Sequence, residues 1–345
     1  MSQIAAPGKE CSTTSAAGCR LSISIALCTY QGGRYLHEQL ESLLAQSRLP
    51  DEIVAFDDVS KDDTLEQLNT FAARAFKRGI KVSVYHNPSN LGYVKNFTQA
   101  LLATQGDVIF LCDQDDIWHP DKLAKFAEEF ARRPNLLMLH SDADLVDAAG
   151  ERLDRTVFSA FEVSAEEIRA IHRGNAFKVL LKRNVATGAT MAIRGSVLAH
   201  GFEVPQGWIH DEWLAMLAAT QGVVDCLEEA TIDYRQHENN QVGVRPRGFI
   251  ERVRGGGISR AAFMARLLVR TESLVDQAKT GKVHLDETLM LMVSERLKHA
   301  QLRAHLPENF AFRTVAVMRE YMSGRSALFS NGIRSALTDL TKIGR

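Results

Sequence analysis

The chain has 345 residues, 41 Lys+Arg, 42 Asp+Glu and 45% apolar side chains, enough for one large or two modest globular domains with a sizeable core. No apolar run approaches the roughly 20 residues that span a bilayer, and five scattered cysteines without a CxxC pair argue against structural zinc and suit a reducing, cytoplasmic setting. The net charge of −1 hides an asymmetry: residues 242–345 hold 18 basic against 9 acidic side chains, leaving 23 against 33 in the remainder. A basic C-terminal third points either to an anionic partner or to a solvated helical surface.

In chain order, residues 1–20 are rich in Ser, Thr, Ala and Gly, lack an apolar stretch and read as a disordered tail. Leu21, Ile23, Ile25 and Leu27 alternate with small residues as in a core strand. Leu36, Leu40, Leu43 and Leu44 have helical spacing. Strand EIVAFD (52–57) follows, then a helix with Leu65, Leu68, Phe71 and Ala75 inward, a Ser60/Asp63 pair resembling a capping box, and Gly79 as its stop. Strand 81–86, a helix around Phe97 and Leu101, strand 108–112, a helix with Leu123, Phe126 and Phe130, and strand 136–141 complete a βα alternation. That rhythm predicts an α/β fold with a largely parallel, twisted sheet covered by helices on both faces. Further on, the pattern predicts a short strand over 189–193, a helix over 210–222 and two strands within 223–237. It reads as helical from about 248, broken at Gly255–Gly257 and Gly281.

In such sheets ligands bind beyond the carboxyl ends of the strands. Polar clusters stand at four of those ends: Thr29 and Tyr30, Asp57 and Asp58, Asn87 to Asn90, and Asp113 to Asp116. The last is the densest, since VIFLCDQDDIWHPD (108–121) runs four apolar residues into three carboxylates within four positions. Carboxylates so close raise one another's pKa unless a cation is present. A hard divalent ion held by one or two carboxylates and substrate phosphates is one remedy; a polar loop capping the next helix is the other reading.

Seven ordered segments resemble family 2 glycosyltransferases of the GT-A fold, with rhamnosyltransferase-like members nearest. They are ALCTYQGGRYLHEQLESLLAQS (26–47), FDDVSKDDT (56–64), NPSNLGYVKNF (87–97), CDQDDIWHPDKL (112–123), ATGATMAIRG (186–195), HDEW (210–213) and YRQHENNQVG (234–243). The resemblance covers residues 21–245, about two-thirds of the chain, and leaves 246–345 as a helical C-terminal region. It implies a Rossmann-like mixed sheet and an inverting, metal-dependent sugar transfer. The donor would be a dTDP- or UDP-sugar, rhamnose by best guess, and the acceptor a growing surface polysaccharide or a polyprenyl-pyrophosphate-linked saccharide.

The resemblance also implies roles. Asp58, with Asp57 alongside, would meet the imide of the base, and Thr29 and Tyr30 would wall that pocket, with Asn90, Lys95 and Asn96 facing the nucleotide. Asp113 would lie near the ribose, Asp115 would bind Mg²⁺ or Mn²⁺ with His237 as a further contact, and Asp116 would be a secondary ligand or orient the loop. Tyr234 and Arg235 would serve the diphosphate or the closing loop. Asp211 would be the general base, with Glu212 its close competitor and His210 standing where the family often has Glu. A helix N-terminus would keep Asp211 ionised and so a weaker base. Thr187 and Gly188 would line the donor or acceptor pocket, and Trp208 and Trp213 would stack on a sugar or belong to the core.

The C-terminal segments 310–322 and 327–343 mix large apolar residues with Arg and Lys. They suit an amphipathic helix at the inner membrane surface or, as slightly favoured, one packed on a domain or dimer partner. Competing classes fare worse. There is no GxxxxGK[ST] for a P-loop and no DxDGT-like run for an aspartyl-phosphate enzyme, and the basic tail carries no nucleic-acid reader motif. A catalytically inactive nucleotide-sugar-binding or scaffold protein on the same fold is the alternative.

Overall fold

The computed structural model describes residues 20–199, 202–238 and 260–341. The predicted tail, save Arg20, the 245/246 boundary, the 255–257 break and the last residues of the 234–243 and 327–343 segments lie outside the described residues.

Four strands, β1 (Ile23–Thr29), β2 (Glu52–Asp57), β3 (Lys81–His86) and β4 (Val108–Cys112), pair in parallel in the order β3-β2-β1-β4. They are joined by α1 (Leu36–Leu44), α2 (Thr64–Phe76) and α3 (Tyr93–Ala103). In β1, Ile23, Ile25 and Leu27 face one side and Ala26 and Cys28 the other, and all are buried because helices cover both faces. One core gathers α1, α2 and α4 (Lys122–Arg132) beneath the sheet. The other gathers α3, α5 (Val157–Ala160), α6 (Ala165–His172), α7 (Ala176–Lys182) and α8 (His210–Gln221) above it.

Register fixes where the strands end. Thr29 stands opposite Asp57, Asp57 opposite His86, and Leu27 opposite Cys112. The polar residues that follow each strand therefore share one edge, as the sequence predicts.

The second half makes the sheet mixed. β8 (Met191–Arg194) lies antiparallel between β4 and β6 (Leu136–Val146). β6 pairs in parallel with β9 (Val223–Arg235), which carries β5 (Ile117–Trp118) on its far side, while β7 (Arg152–Thr156) pairs with β6. The two strands predicted in 223–237 are one: the register jumps from Ser141↔Leu227 to Asp142↔Ala230, so Glu228 and Glu229 bulge out without ending the strand. The strand predicted at 189–193 begins at Met191, after a 3₁₀ turn over Gly188–Thr190.

Local signals met mixed outcomes. Gly79, at φ +80°, ends α2 with its N–H donating to Phe76. Ser60 does not cap α2: its hydroxyl and N–H both donate to Asp57, and the Thr64 N–H at the helix start donates to Asp62 instead. The C-terminal region holds α9 (Arg260–Lys279), α10 (Glu287–Ala304), α11 (Phe310–Met322), α12 (Arg325–Phe329) and α13 (Ile333–Thr341). Leu274, Val293 and Phe329 from these helices join the upper core, so the C-terminal region packs on the sheet domain. No helix among the described residues is long and apolar enough to cross a membrane.

Candidate active site

The edge beyond β1 and β2 is tied together by carboxylates. Asp57, fully buried, accepts from the Thr29 and Ser60 hydroxyls (3.0 and 2.5 Å) and lies 2.9 Å from His86 Nδ1. Asp58 accepts from Asn87 Nδ2 and from the Leu91 and Gly92 N–H groups, each at 2.8 Å. Asn90 donates to the Asp58 carbonyl and Asn96 to that of Phe56. Asp57, Asp58, Asn90 and Asn96 thus shape the 87–92 loop; Lys95 and Tyr30 lie exposed beside it. Tyr30 is held by a residue the motifs contained but gave no role. Gln114 accepts from the Tyr30 N–H (2.8 Å) and donates to the Tyr30 carbonyl (3.0 Å), pairing with the backbone of one residue as a neighbouring strand would.

The acid cluster lies beyond β4. Asp115 carries His237 Nε2 at 2.7 Å, which brings the two proposed metal residues into contact. Burial, then the charges of Asp115 and Asp211, push Asp113 up to about 7. Burial, then Asp115 and Asp113, hold Asp116 well above the carboxylate range. Asp116 Oδ1 accepts from the Arg235 N–H (3.0 Å), while its buried Oδ2 finds no protein partner.

Arg235 is turned away from a ligand role. At 1% exposed, it donates to the Asp115 carbonyl (2.9 Å) and to Glu38 (2.6 Å) and lies 4.8 Å over the Tyr35 ring. Tyr35 in turn stacks on His237 at 4.7 Å. This packing fixes the strand end that carries His237.

A second unassigned residue underlies the cluster. Lys122 is fully buried, donates to the Ala189 carbonyl at 2.7 Å and stands 3.8 Å over the Trp118 ring. Burial lowers it to about 7 against the opposing charges of Cys112, Asp116 and Asp113. Through Ala189 it braces the turn that holds the proposed base.

Across the cleft, α8 opens with His210 and Asp211. Asp211 Oδ2 accepts from the Gly188 N–H (3.0 Å) and Oδ1 from the Glu212 N–H (2.7 Å). A Cβ on Gly188 would stand 3.4 Å from both Asp211 Cβ and His210 Nε2, so the turn lies in ordinary contact with the start of α8. Thr187, half-buried, receives the Thr190 N–H that closes the turn. The expected lowering of Asp211 at a helix start is overturned. Burial raises its pKa and outweighs those backbone donors, because the helix end is enclosed instead of wet.

Glu212 is engaged elsewhere, 2.9 Å from Arg270 of α9. His210 stacks on Phe97 at 4.2 Å, is pushed down to about 3 by burial and so stays neutral. Trp213 is buried against Trp208 (5.3 Å), the core alternative of the two given for it.

The two sides lie close enough for their charges to act on common groups. The charges of Asp116, Asp113, Asp115 and Asp211 all act on the buried Tyr234, whose phenol, desolvated first of all, is held well above its usual range. Tyr234 therefore stays protonated between the acid cluster and Asp211. As for a cation, the closest triads of ligand atoms among the described residues lie elsewhere, at His119/Asp144/Asp233 and His172/Asp225/Cys226. The Asp115–His237 pair with the orphaned Asp116 oxygen nevertheless fits an ion whose remaining ligands come from substrate phosphates and water.

This architecture is that of GT-A glycosyltransferases. The S. aureus TarS 1–349 structure with UDP-GlcNAc aligns over 93% of this chain and 88% of its own, with a TM-score of 0.54 at 17% identity. A mannosyltransferase from Pyrobaculum calidifontis, solved with GDP-Man and Mn²⁺, aligns over 92% and 81%, with a TM-score of 0.50 at 18% identity. The chain belongs to glycosyl transferase family 2, which it matches over residues 24–202, just over half its length. Among curated relatives, the Nostoc glycosyltransferase alr2836 is 27% identical over 227 residues, 64% of this chain and 66% of that protein. The Shigella flexneri dTDP-rhamnosyl transferase RfbG is 26% identical over 229 residues, 63% of this chain and 73% of that protein. The chain thus spans just under two-thirds of the Nostoc relative, and 43% of the Bacillus subtilis glycosyltransferase YwdF.

Proposed function

We propose that the protein is an inverting glycosyltransferase that moves a sugar, rhamnose by best guess, from a dTDP- or UDP-sugar to a saccharide, either free or carried on a polyprenyl pyrophosphate. One observation supports this reading: the 187–190 turn joins the two sides, Gly188 donating to Asp211 and Ala189 accepting from Lys122 beneath the acid cluster. Inversion needs this arrangement, with the leaving group on one side of the anomeric carbon and the base on the other.

Tyr30 offers an exposed ring to the base, and the loop braced by Asp58 forms the pocket wall. Asp113, beside the proposed ion site, can accept a hydrogen bond from a ribose hydroxyl. Asp115 and His237 would hold Mg²⁺ or Mn²⁺, with Asp116 behind them, and a bound ion would offset the charge gathering on the departing diphosphate. Asp211, raised by burial, takes the proton of the acceptor hydroxyl as it attacks, and a raised pKa makes it the stronger base. Arg270 holds Glu212 aside, which leaves that task to Asp211. The relative named a dTDP-rhamnosyl transferase supports the sugar, and the acceptor class follows from the family resemblance.

The test is a donor screen: purified protein with dTDP- and UDP-sugars and Mn²⁺ or Mg²⁺, read as nucleoside diphosphate release and as a thermal shift. A preferred donor turned over in the presence of the ion is the expected result. Donor binding without any turnover, with or without acceptor saccharides, would instead mark an inactive binding protein.

A further inference from the structure

The C-terminal helices carry their polarity reversed. On α11, Phe312, Val315 and Met322 recur at i, i+3 and i+10 with Met318 beside them, and all are exposed, Phe312 by 70% and Met322 by 78%. The opposite side of the helix buries Val317 and Glu320. On α13, which packs against α11, Ile333 and Leu337 are exposed while Ala336 and Asp339 are buried. The acids of these two helices are thus inside and their large apolar residues outside.

The inward acids are neutralised there. Glu320 pairs with His299 and Arg325, each at 2.6 Å, and Asp339 with Arg303 and Arg260, each at 2.7 Å. Arg319, on the exposed face seven residues after Phe312, and Arg334, next to Ile333, are left to the outside. The outer face therefore presents apolar side chains and positive charge, with its helices' own carboxylates withdrawn.

We propose that this face of α11 and α13 docks on the surface of an anionic lipid bilayer. Apolar side chains entering the acyl boundary with arginines at headgroup level match such a surface in both hydrophobicity and charge. A second copy matches less well, since a two-fold contact would press one positively charged patch against another. Such docking would bring the protein to the membrane in which a lipid-carried acceptor lies. In that sense the biological role rests on the acceptor reading above, while the binding itself does not.

The experiment is co-sedimentation of the full chain, without donor, on vesicles of phosphatidylglycerol and phosphatidylethanolamine and on vesicles of phosphatidylcholine. Binding is expected on the anionic vesicles and is weakened by salt. It should fall about tenfold or more in Phe312→Ser/Met322→Ser and about fivefold in Arg319→Gln. These surface substitutions leave donor hydrolysis unchanged, which shows that the variants are folded. If donor turnover proves absent but vesicle binding behaves as described, the docking face stands and only the transferase reading fails. Equal or no sedimentation on both vesicle types would overturn the proposal. So would a lipid-free dimer in analytical ultracentrifugation that Phe312→Ser/Met322→Ser dissociates, since the second copy would then be the occupant.

Discussion

Replacing Lys122 with Met gives a test of the buried charge beneath the acid cluster. The ammonium is fully enclosed, donating to Ala189 and facing the Trp118 ring, and burial brings its pKa from 10.5 down to about 7. Its folded value lies below its unfolded value. Between about pH 7 and pH 10.5 the unfolded chain binds a proton that the folded chain does not, so Lys122 makes stability rise with pH across that window. The slope approaches about 1.4 kcal/mol per pH unit, or roughly 2–3 kcal/mol between pH 7 and 9. Met removes the titration. At pH 7 it also removes the desolvation penalty, while losing a charge-assisted hydrogen bond and a cation–π contact of about 2 kcal/mol each, so net stability there should change little. The assay is urea unfolding of both proteins at pH 7 and 9 with EDTA present. The difference between them should open by about 2 kcal/mol at the higher pH, in favour of the wild type. Parallel pH profiles would refute the placement of a buried, depressed lysine at this point.

Gln114→Ala removes both hydrogen bonds to the Tyr30 backbone, and donor KM should rise about tenfold with kcat nearly unchanged, by steady-state kinetics. Glu212→Gln weakens the Arg270 pair and should lower stability by about 1–2 kcal/mol in urea titrations, yet leave kcat within a few-fold, because Glu212 is not the base. Asp115→Asn should abolish the rise in melting temperature that Mn²⁺ with nucleoside diphosphate gives the wild type, by differential scanning fluorimetry.

The first half of the fold was legible because each parallel strand and its crossover helix carry their own period. Leu27, Asp57, His86 and Cys112 then fall into register without help from distant residues. The second half was legible only in part: the helix at His210–Gln221 was, the strand pairing was not. β5 is two residues long, β7 is exposed, and the bulge at Glu228 and Glu229 imitates a strand end. In the site, residue types were readable but their surroundings were not. Arg235 looks like a phosphate ligand until its burial against Glu38 and Tyr35 is seen. Lys122 stands at a helix start, where a lysine ordinarily faces water. The pKa of Asp211 turned on enclosure, which a helix-end argument does not contain. The C-terminal helices are amphipathic in sequence, and periodicity alone does not say which face turns inward.

The central claim is that Asp211 faces the acid cluster across one cavity and acts as the base. The direct measurement is the pH profile of kcat for wild type and Asp211→Asn, with nucleotide affinity taken by calorimetry on the same samples. The account predicts a wild-type acid limb above the usual aspartate range, because the folded pKa is raised. It predicts that Asp211→Asn loses about 10²–10⁴ in kcat, loses that limb and keeps its nucleotide affinity. A variant that retains kcat and the same acid limb would contradict it.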